Sequence, residues 1–175
     1  RSFGLPMVFP KDVEREAAQF SEAIPPNEIG KRLDLRGTVC FTIDPEDAKD
    51  FDDAISFVAL PDGNMRLGVH IADVSHYVRE GSVLDREALA RGTSVYMVNE
   101  VIPMLPERLS NNLCSLKPNV DRLTYSVLMD VATNGAVENY TIHKTIIHSK
   151  RRFTYEEVQK ILESGKGELV DTLLP

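Results

Sequence analysis

Six acidic residues fall within ten positions of this chain, in the run Asp44-Pro45-Glu46-Asp47-Ala48-Lys49-Asp50-Phe51-Asp52-Asp53. Apolar, β-rich stretches flank the run, residues 35–43 before it and Ala54-Ile55-Ser56-Phe57-Val58 after it. Carboxylates crowded at the ends of buried strands repel one another unless a cation or a shared proton offsets them. Any fold of this chain must therefore hold a charged loop between two buried strands. Five of the six acids are Asp, whose short side chains hold a cation rigidly. Phe51 interrupts them and is expected to anchor the loop in the core. Hard oxygen donors of this kind suit Mg²⁺ or Mn²⁺. Two rival readings stay open on the residues alone: a solvated acidic loop, and a calcium loop. An EF-hand would need a central Gly and a closing Glu, which this run lacks.

A pair of divalent ions about 3.5–4 Å apart suits in-line attack by water at phosphorus. A paired-carboxylate glycosidase is the other acid-rich enzyme class, and it has no use for four clustered Asp. The net charge of −7 argues against a nucleic-acid surface, since phosphate contacts need Lys and Arg. The objection lapses if the acidity is local to a metal centre and the basic surface lies elsewhere.

With 175 residues, 42% of them hydrophobic, the chain can bury one sizeable core. No apolar run approaches the roughly 20 residues that span a bilayer. The start of the chain lacks the blocks of a signal peptide, so a soluble cytoplasmic protein is expected. Cys40 and Cys114 sit in apolar surroundings and are expected to be reduced, buried thiols.

Residues 1–10, with Gly4, Pro6 and Pro10, read as a linker, followed by a short helix with Val13, Ala17 and Phe20 on one stripe. Residues 21–31 read as an irregular arm. Residues 54–60 and 65–73 are expected as strands joined across Pro61-Asp62-Gly63. Ser82 can cap a helix to about Ala90, with Gly92 past its end. Residues 122–131 and 136–148 make a second strand pair across Asn134-Gly135, a type I′ dipeptide. Thr154 and Glu157 form a capping box for a helix whose Val158, Ile161 and Leu162 are expected to face inward. The fold class is α+β, a mainly antiparallel sheet with packed helices. The ending at Leu173-Leu174-Pro175 reads as a cut through a larger domain, and apolar surface near that end is expected to be exposed.

Several ordered motifs resemble the catalytic domain of the ribonuclease II superfamily. They are Thr42-Ile43-Asp44-Pro45-Glu46-Asp47-Ala48-Lys49-Asp50-Phe51-Asp52-Asp53-Ala54, then Val69-His70-Ile71-Ala72-Asp73-Val74-Ser75-His76-Tyr77-Val78, Thr93-Ser94-Val95-Tyr96, Val101-Ile102-Pro103-Met104-Leu105-Pro106 and Leu109-Ser110-Asn111-Asn112-Leu113-Cys114-Ser115-Leu116. The lead-in Gly4-Leu5-Pro6 and Phe9-Pro10 is similar to the segment preceding this domain in the ribonuclease R branch. The resemblance implies a hydrolytic 3′→5′ exoribonuclease that uses Mg²⁺, or Mn²⁺, and releases nucleoside 5′-monophosphates from single-stranded RNA ends. It implies a lead-in over residues 1–32 and the N-terminal part of the catalytic domain over residues 33–175.

Residue by residue, Asp44, Asp50, Asp52 and Asp53 match the family's four acidic positions. Asp44 and Asp53 would be the main ligands of a first ion, and Asp50 and Asp52 would orient a second ion or the attacking water. Asp52 matches the position most critical for cleavage. Tyr96 matches the aromatic that stacks on the 3′-terminal base, and Tyr155 looks like the tyrosine that helps recognise ribose. Glu46 and Asp47 lie between matched positions and are expected to be exposed. The resemblance also implies partners outside this chain: the second half of the catalytic domain, with an arginine for the phosphoryl group, and flanking cold-shock and S1 modules. No DNA or membrane partner is expected, and the isolated chain is expected to have weak activity or none.

Other readings stay beside these. By pattern alone Tyr96 is a core strand aromatic, and His70 and His76 are packed or surface groups. Lys150-Arg151-Arg152 is either a solvated basic turn or a phosphate contact. A module that binds RNA or metal without cleaving, and a phosphoesterase acting on small substrates, are the rival functions.

Overall fold

The computed structural model describes residues 4, 6–98 and 100–170. The first helix, α1 (Lys11–Ala18), buries Val13 and Ala17 as its stripe requires. Its lead-in is strapped down rather than loose. The Arg91 guanidinium sits 3.6 Å from the Phe9 ring centroid and donates to the Pro6 and Val8 carbonyls at 2.9 and 3.1 Å. Residues 1–3 and Leu5 of the expected linker lie outside the described residues. The expected irregular arm holds a four-residue helix, α2 (Pro26–Ile29), because Pro26 suits a first helical position.

The sheet is built from β1 (Leu33–Asp34), β2 (Cys40–Asp44), β3 (Asp53–Ala59), β4 (Met65–Ala72), β7 (Asp121–Val131), β8 (Val137–His148) and β9 (Arg151–Thr154). Between β4 and β7 lie α3 (Val74–Tyr77), α4 (Val83–Arg91), a small hairpin of β5 (Val95–Tyr96) and β6 (Val101–Ile102), and a π-helical turn, Leu109–Leu113. The last helix is α5 (Tyr155–Ser164). The strand order is β1-β8-β7-β4-β3-β2-β9, antiparallel except for β1 with β8 and β2 with β9. The fold is therefore α+β with a mainly antiparallel sheet, as expected.

This order forces the sheet to curl. β8 and β9 stand second and last, five steps apart, which in a flat sheet is about 24 Å. Only Ser149 and Lys150 join them, and three Cα steps reach about 11 Å. The Lys150 amide closes the corner by donating to the Cys40 carbonyl at 2.8 Å.

Alternation along the strands then gives two faces. The inner face carries Cys40, Ala54 and Ala72 and joins the main core with Leu109, Leu113, Leu116 and Leu123. The other face carries Phe41, Ile43, Ile55, Phe57 and Phe153, and α5 covers it with Val158 and Ile161. Leu162, expected inward, is 45% exposed, because the α5 stripe needs only Val158 and Ile161 to cover Phe41 and Phe153. Tyr155 and Leu162 are exposed apolar surface at this end; residues 171–175 lie outside the described residues.

The helix caps follow the expected chemistry. Ser82 accepts from the Asp85 amide at the start of α4, and Gly92 follows it at φ 76°. Thr154 and Glu157 form the reciprocal capping box of α5. The turn at Asn134-Gly135 differs from expectation. A type I′ turn needs positive φ at both central residues, and of these two only Gly135 has it, at 84°. The Gly135 amide donates to Ala132 and the Ala132 amide to Ala136, each at 2.8 Å, which makes a three-residue loop. The extra residue also explains the register slip between Asp130 and Val131.

Inside the curl, His70 is fully buried, with Nε2 2.9 Å from Ser56 Oγ and Nδ1 2.7 Å from Ser126 Oγ. Burial pushes its pKa down to about 4. His76 is half-buried beside Glu28 and Arg32. Both cysteines are free and buried.

Candidate metal centre

The acidic run lies at the end of the curled sheet where β2 stops and β3 begins. Asp44 is the last residue of β2 and is 9% exposed. The Phe41–Ile55 register, carried onward, sets Asp44 across from Asp52 on the inner face. Asp53 starts β3 on the other face, with Ile55 and Phe57. The acids thus straddle the sheet end rather than facing one point. Among the described residues, no three His, Cys, Asp or Glu side chains stand close enough to enclose one ion.

They nonetheless feel one another. Burial raises the Asp44 carboxyl above its ordinary range; the Thr42 hydroxyl, near it but outside hydrogen-bond geometry, and the Arg152 guanidinium counter this, while the charges of Asp53 and Asp50 add to it. Asp52 and Asp53 are exposed, yet the partial loss of water around the Asp52 carboxyl, with the charges of Asp50, Asp53 and Asp44, still raises it. Asp44 Oδ2 is buried with no hydrogen-bond partner, and Thr42 Oγ1 beside it is the same. A buried oxygen left bare costs about 1–3 kcal/mol, more when charged. A buried carboxylate oxygen without a hydrogen-bond partner, at a sheet end that carries three further Asp, is the donor chemistry that a hard divalent cation satisfies. The residues fit the ion by donor type.

Phe51 does hold the loop, packing half-buried against the main core. Its amide donates to Ser115 Oγ at 3.0 Å, and its carbonyl accepts from the Leu116 amide at 2.8 Å. The Asp52 carbonyl accepts from the Ala72 amide at 2.9 Å, tying the loop to β4. Glu46 and Asp47 are exposed.

Tyr96 is not a core aromatic. It sits on the β5–β6 hairpin, 64% exposed, and its hydroxyl donates to Asp50 Oδ2 at 2.7 Å. That bond, with the charges of Asp50 and Asp52, raises its pKa to about 12. The hairpin therefore brings an open aromatic ring to the carboxylates. Tyr155, 58% exposed, opens α5, directly after the Thr154 that pairs with Asp44.

Of the basic run, Arg151 and Arg152 lie in β9 and Lys150 in the corner before it. Arg151 is paired with Glu157 and Glu168 at 3.2 and 2.8 Å. Arg152 donates to the Pro45 carbonyl and lies 5.6 Å over the Phe51 ring, beside Asp44. Sequence reasoning had no means to pick out Arg152, Ser115 or Arg122 as loop supports. Ser115 contacts residues 49 and 51 across more than sixty positions, and only its place in the Leu-Cys-Ser-Leu motif hinted at use.

A family model described as the RNB domain matches residues 32–172. Ribonuclease R of Thermotoga maritima is 55% identical over 158 residues, covering 90% of this chain and 22% of that protein. Ribonuclease R 1 of Lactococcus lactis is 51% identical over 161 residues, covering 92% of this chain and 20% of that protein. Mycoplasma genitalium RNase R, solved in complex with ribose-methylated single-stranded RNA, matches with a TM-score of 0.86 at 35% identity, over 93% of this chain and 25% of that one. Yeast Ssd1, described as a pseudonuclease, shares the fold at 21% identity and a TM-score of 0.75, over 86% of this chain and 19% of that one. The chain spans about a fifth of the length of the curated relatives it matches. By sequence and by fold, this chain belongs to the RNB domain family.

Proposed function

We propose that this chain supplies the carboxylate side of the active site of a cytoplasmic, Mg²⁺-dependent 3′→5′ exoribonuclease. The observation that carries the reading is the gathering of Asp44, Asp50, Asp52 and Asp53 at one sheet end, with Asp44 Oδ2 buried and without a hydrogen-bond partner and an exposed Tyr96 bonded to Asp50. The ribonuclease R relatives support RNA as the substrate, the Mycoplasma genitalium enzyme having been solved both with ribose-methylated single-stranded RNA and with double-stranded RNA. Divalent ions, when bound, would lower the pKa of a water and offset charge on the scissile phosphate.

The chain's own residues prepare for that. Asp44 and Asp53 would hold one ion: Asp44 brings a buried oxygen with no hydrogen-bond partner, and Asp53, which starts β3 on the opposite face, would have to turn across the sheet end to share it. Asp50 and Asp52 would orient a second ion or the attacking water, and the Asp52 carboxyl, raised by loss of water around it and then by its acidic neighbours, suits the proton acceptor. The Tyr96 ring offers a base a stacking face, which every base can use, so binding tolerates sequence as a processive enzyme requires. Tyr155 meets the ribose next to the scissile bond. We further propose that a longer protein contributes the arginine and the basic surface, and that the isolated chain has little activity.

The test uses the longer protein on a 3′-tailed RNA. Stepwise release of nucleoside 5′-monophosphates is expected, falling about 10²–10⁴-fold in Asp52→Asn. Unchanged release in that variant would sink the role given to Asp52. The straddling of the acids across two faces keeps one other reading in play, a module that binds RNA or metal without cleaving. Mn²⁺ binding with no turnover by the longer protein would select it.

A further inference from the structure

We infer that Ser115 is a positioning residue for the acidic centre, setting where Asp50 and Asp52 stand for a divalent cation. The inference rests on the metal-centre reading above. Ser115 is fully buried, and its hydroxyl makes two bonds to the acidic loop. It donates to the Lys49 carbonyl at 3.2 Å and accepts from the Phe51 amide at 3.0 Å. Those groups belong to the two peptide units on either side of Asp50. One hydroxyl therefore fixes both planes whose rotation would swing the Asp50 side chain. The next peptide, which leads into Asp52, is held by the Leu116 amide at 2.8 Å.

The clamp is itself braced. Arg122 on β7, buried, donates from Nε to the Ser115 carbonyl at 2.9 Å and from Nη2 to Asn112 Oδ1 at 3.1 Å. The Lys117 amide donates to the same carbonyl at 2.8 Å. The π-helical turn feeds into this segment, with the Cys114 amide donating to Leu109 at 2.8 Å and the Ser115 amide to Asn112 at 3.0 Å. No part of Ser115 reaches solvent, so it acts through the loop and not on substrate. Groups that orient metal ligands from behind are worth about 10–100-fold in metal affinity.

The test measures the Mn²⁺ dissociation constant by electron paramagnetic resonance for wild type, Ser115→Ala and Ser82→Ala. The last loses the α4 cap, whose hydroxyl bonds the Asp85 amide and not the acidic loop, and serves as a destabilised control. Ser115→Ala is expected to weaken binding about 10–100-fold while the control keeps the wild-type constant. Ser115→Thr, which keeps the hydroxyl, is expected to recover most of the loss. A second measurement needs no variant. Hydrogen exchange at the Phe51 amide should slow as Mg²⁺ is added, while exchange at the Asp85 amide, held by Ser82, should not change.

Equal affinity in Ser115→Ala, equal weakening in the control, or a Phe51 amide indifferent to bound Mg²⁺ would each overturn the clamp alone. A wild type that binds no Mn²⁺ would overturn the metal centre itself, and the clamp's purpose with it.

Discussion

Replacing Asp73 by asparagine tests how the arm before the sheet is held against it. The Arg32 and Asp73 side chains are both fully buried and meet at 2.7 Å. Arg32 also reaches the Thr124 and Thr145 carbonyls at 3.4 and 3.5 Å, so it ties β7 and β8 to the start of β1. Asparagine keeps the size of Asp73 and an oxygen for the Ser75 hydroxyl and the His76 amide, now at 2.7 and 3.1 Å. The substitution therefore removes a charge and sets an amide NH2, a donor, against the Arg32 guanidinium in place of the accepting Oδ2. Leaving one buried charge unmatched costs about 3–5 kcal/mol. Glu28, 2.8 Å from Arg32, remains as a second anion, so the lower end, about 3 kcal/mol, is expected. For a chain of this length that lowers Tm by about 6–12 °C.

The sign with pH follows from the carboxyl. Burial alone would raise Asp73, but the Ser75 hydroxyl and the Arg32 guanidinium outweigh it and hold the group below its ordinary value. Such a group stabilises fully above its unfolded pKa, about 3.9, and the benefit is lost as pH falls through the folded value. Urea unfolding followed by circular dichroism should show the full gap between wild type and Asp73→Asn at pH 7 and a narrowing gap below about pH 4. A gap under about 1 kcal/mol at pH 7, the scale of an exposed pair, would refute the reasoning.

Gly68→Ala should cost about 1–3 kcal/mol, because a Cβ there would stand 2.4 Å from Ser56 Oγ and 2.8 Å from His70 Nε2; an unchanged calorimetric Tm would contradict this. His70, held near pKa 4 by burial, keeps its full stabilising effect above its ordinary 6.5 and loses it as pH falls from 6.5 towards 4, by about 3 kcal/mol. His70→Gln should flatten that part of the stability profile, and a profile of the same shape would rule the account out. Tyr96→Ala should weaken single-stranded RNA binding by about 1–3 kcal/mol, read by fluorescence anisotropy with the longer protein. Undiminished affinity would remove the stacking role.

Local chemistry was legible where it acts within a few residues. Ser82 with Asp85, and Thr154 with Glu157, announce helix starts because the bonded partners lie three positions apart. Phe51 among acids could only point inward. The acidic run itself was plain, but its placement on two faces depends on the pairing of β2 with β3, which no short window contains. The Asn134-Gly135 turn misled because one extra loop residue moves the left-handed requirement to Gly135 alone. Tyr96, in an apolar pentapeptide, reads as core by pattern; only a two-stranded hairpin reaching Asp50 puts it in the open. Ser115 was invisible for the same reason, its partners lying more than sixty residues earlier. The curl follows from the two-residue link between β8 and β9, which has meaning only once the strand order is known.

Anomalous scattering from Mn²⁺ in crystals of the protein would test the centre most directly. An ion about 2.0–2.2 Å from an Asp44 carboxylate oxygen, sharing its shell with at least one of Asp50, Asp52 and Asp53, is the predicted result. Manganese bound elsewhere, with all four carboxylates beyond coordinating distance, would contradict it.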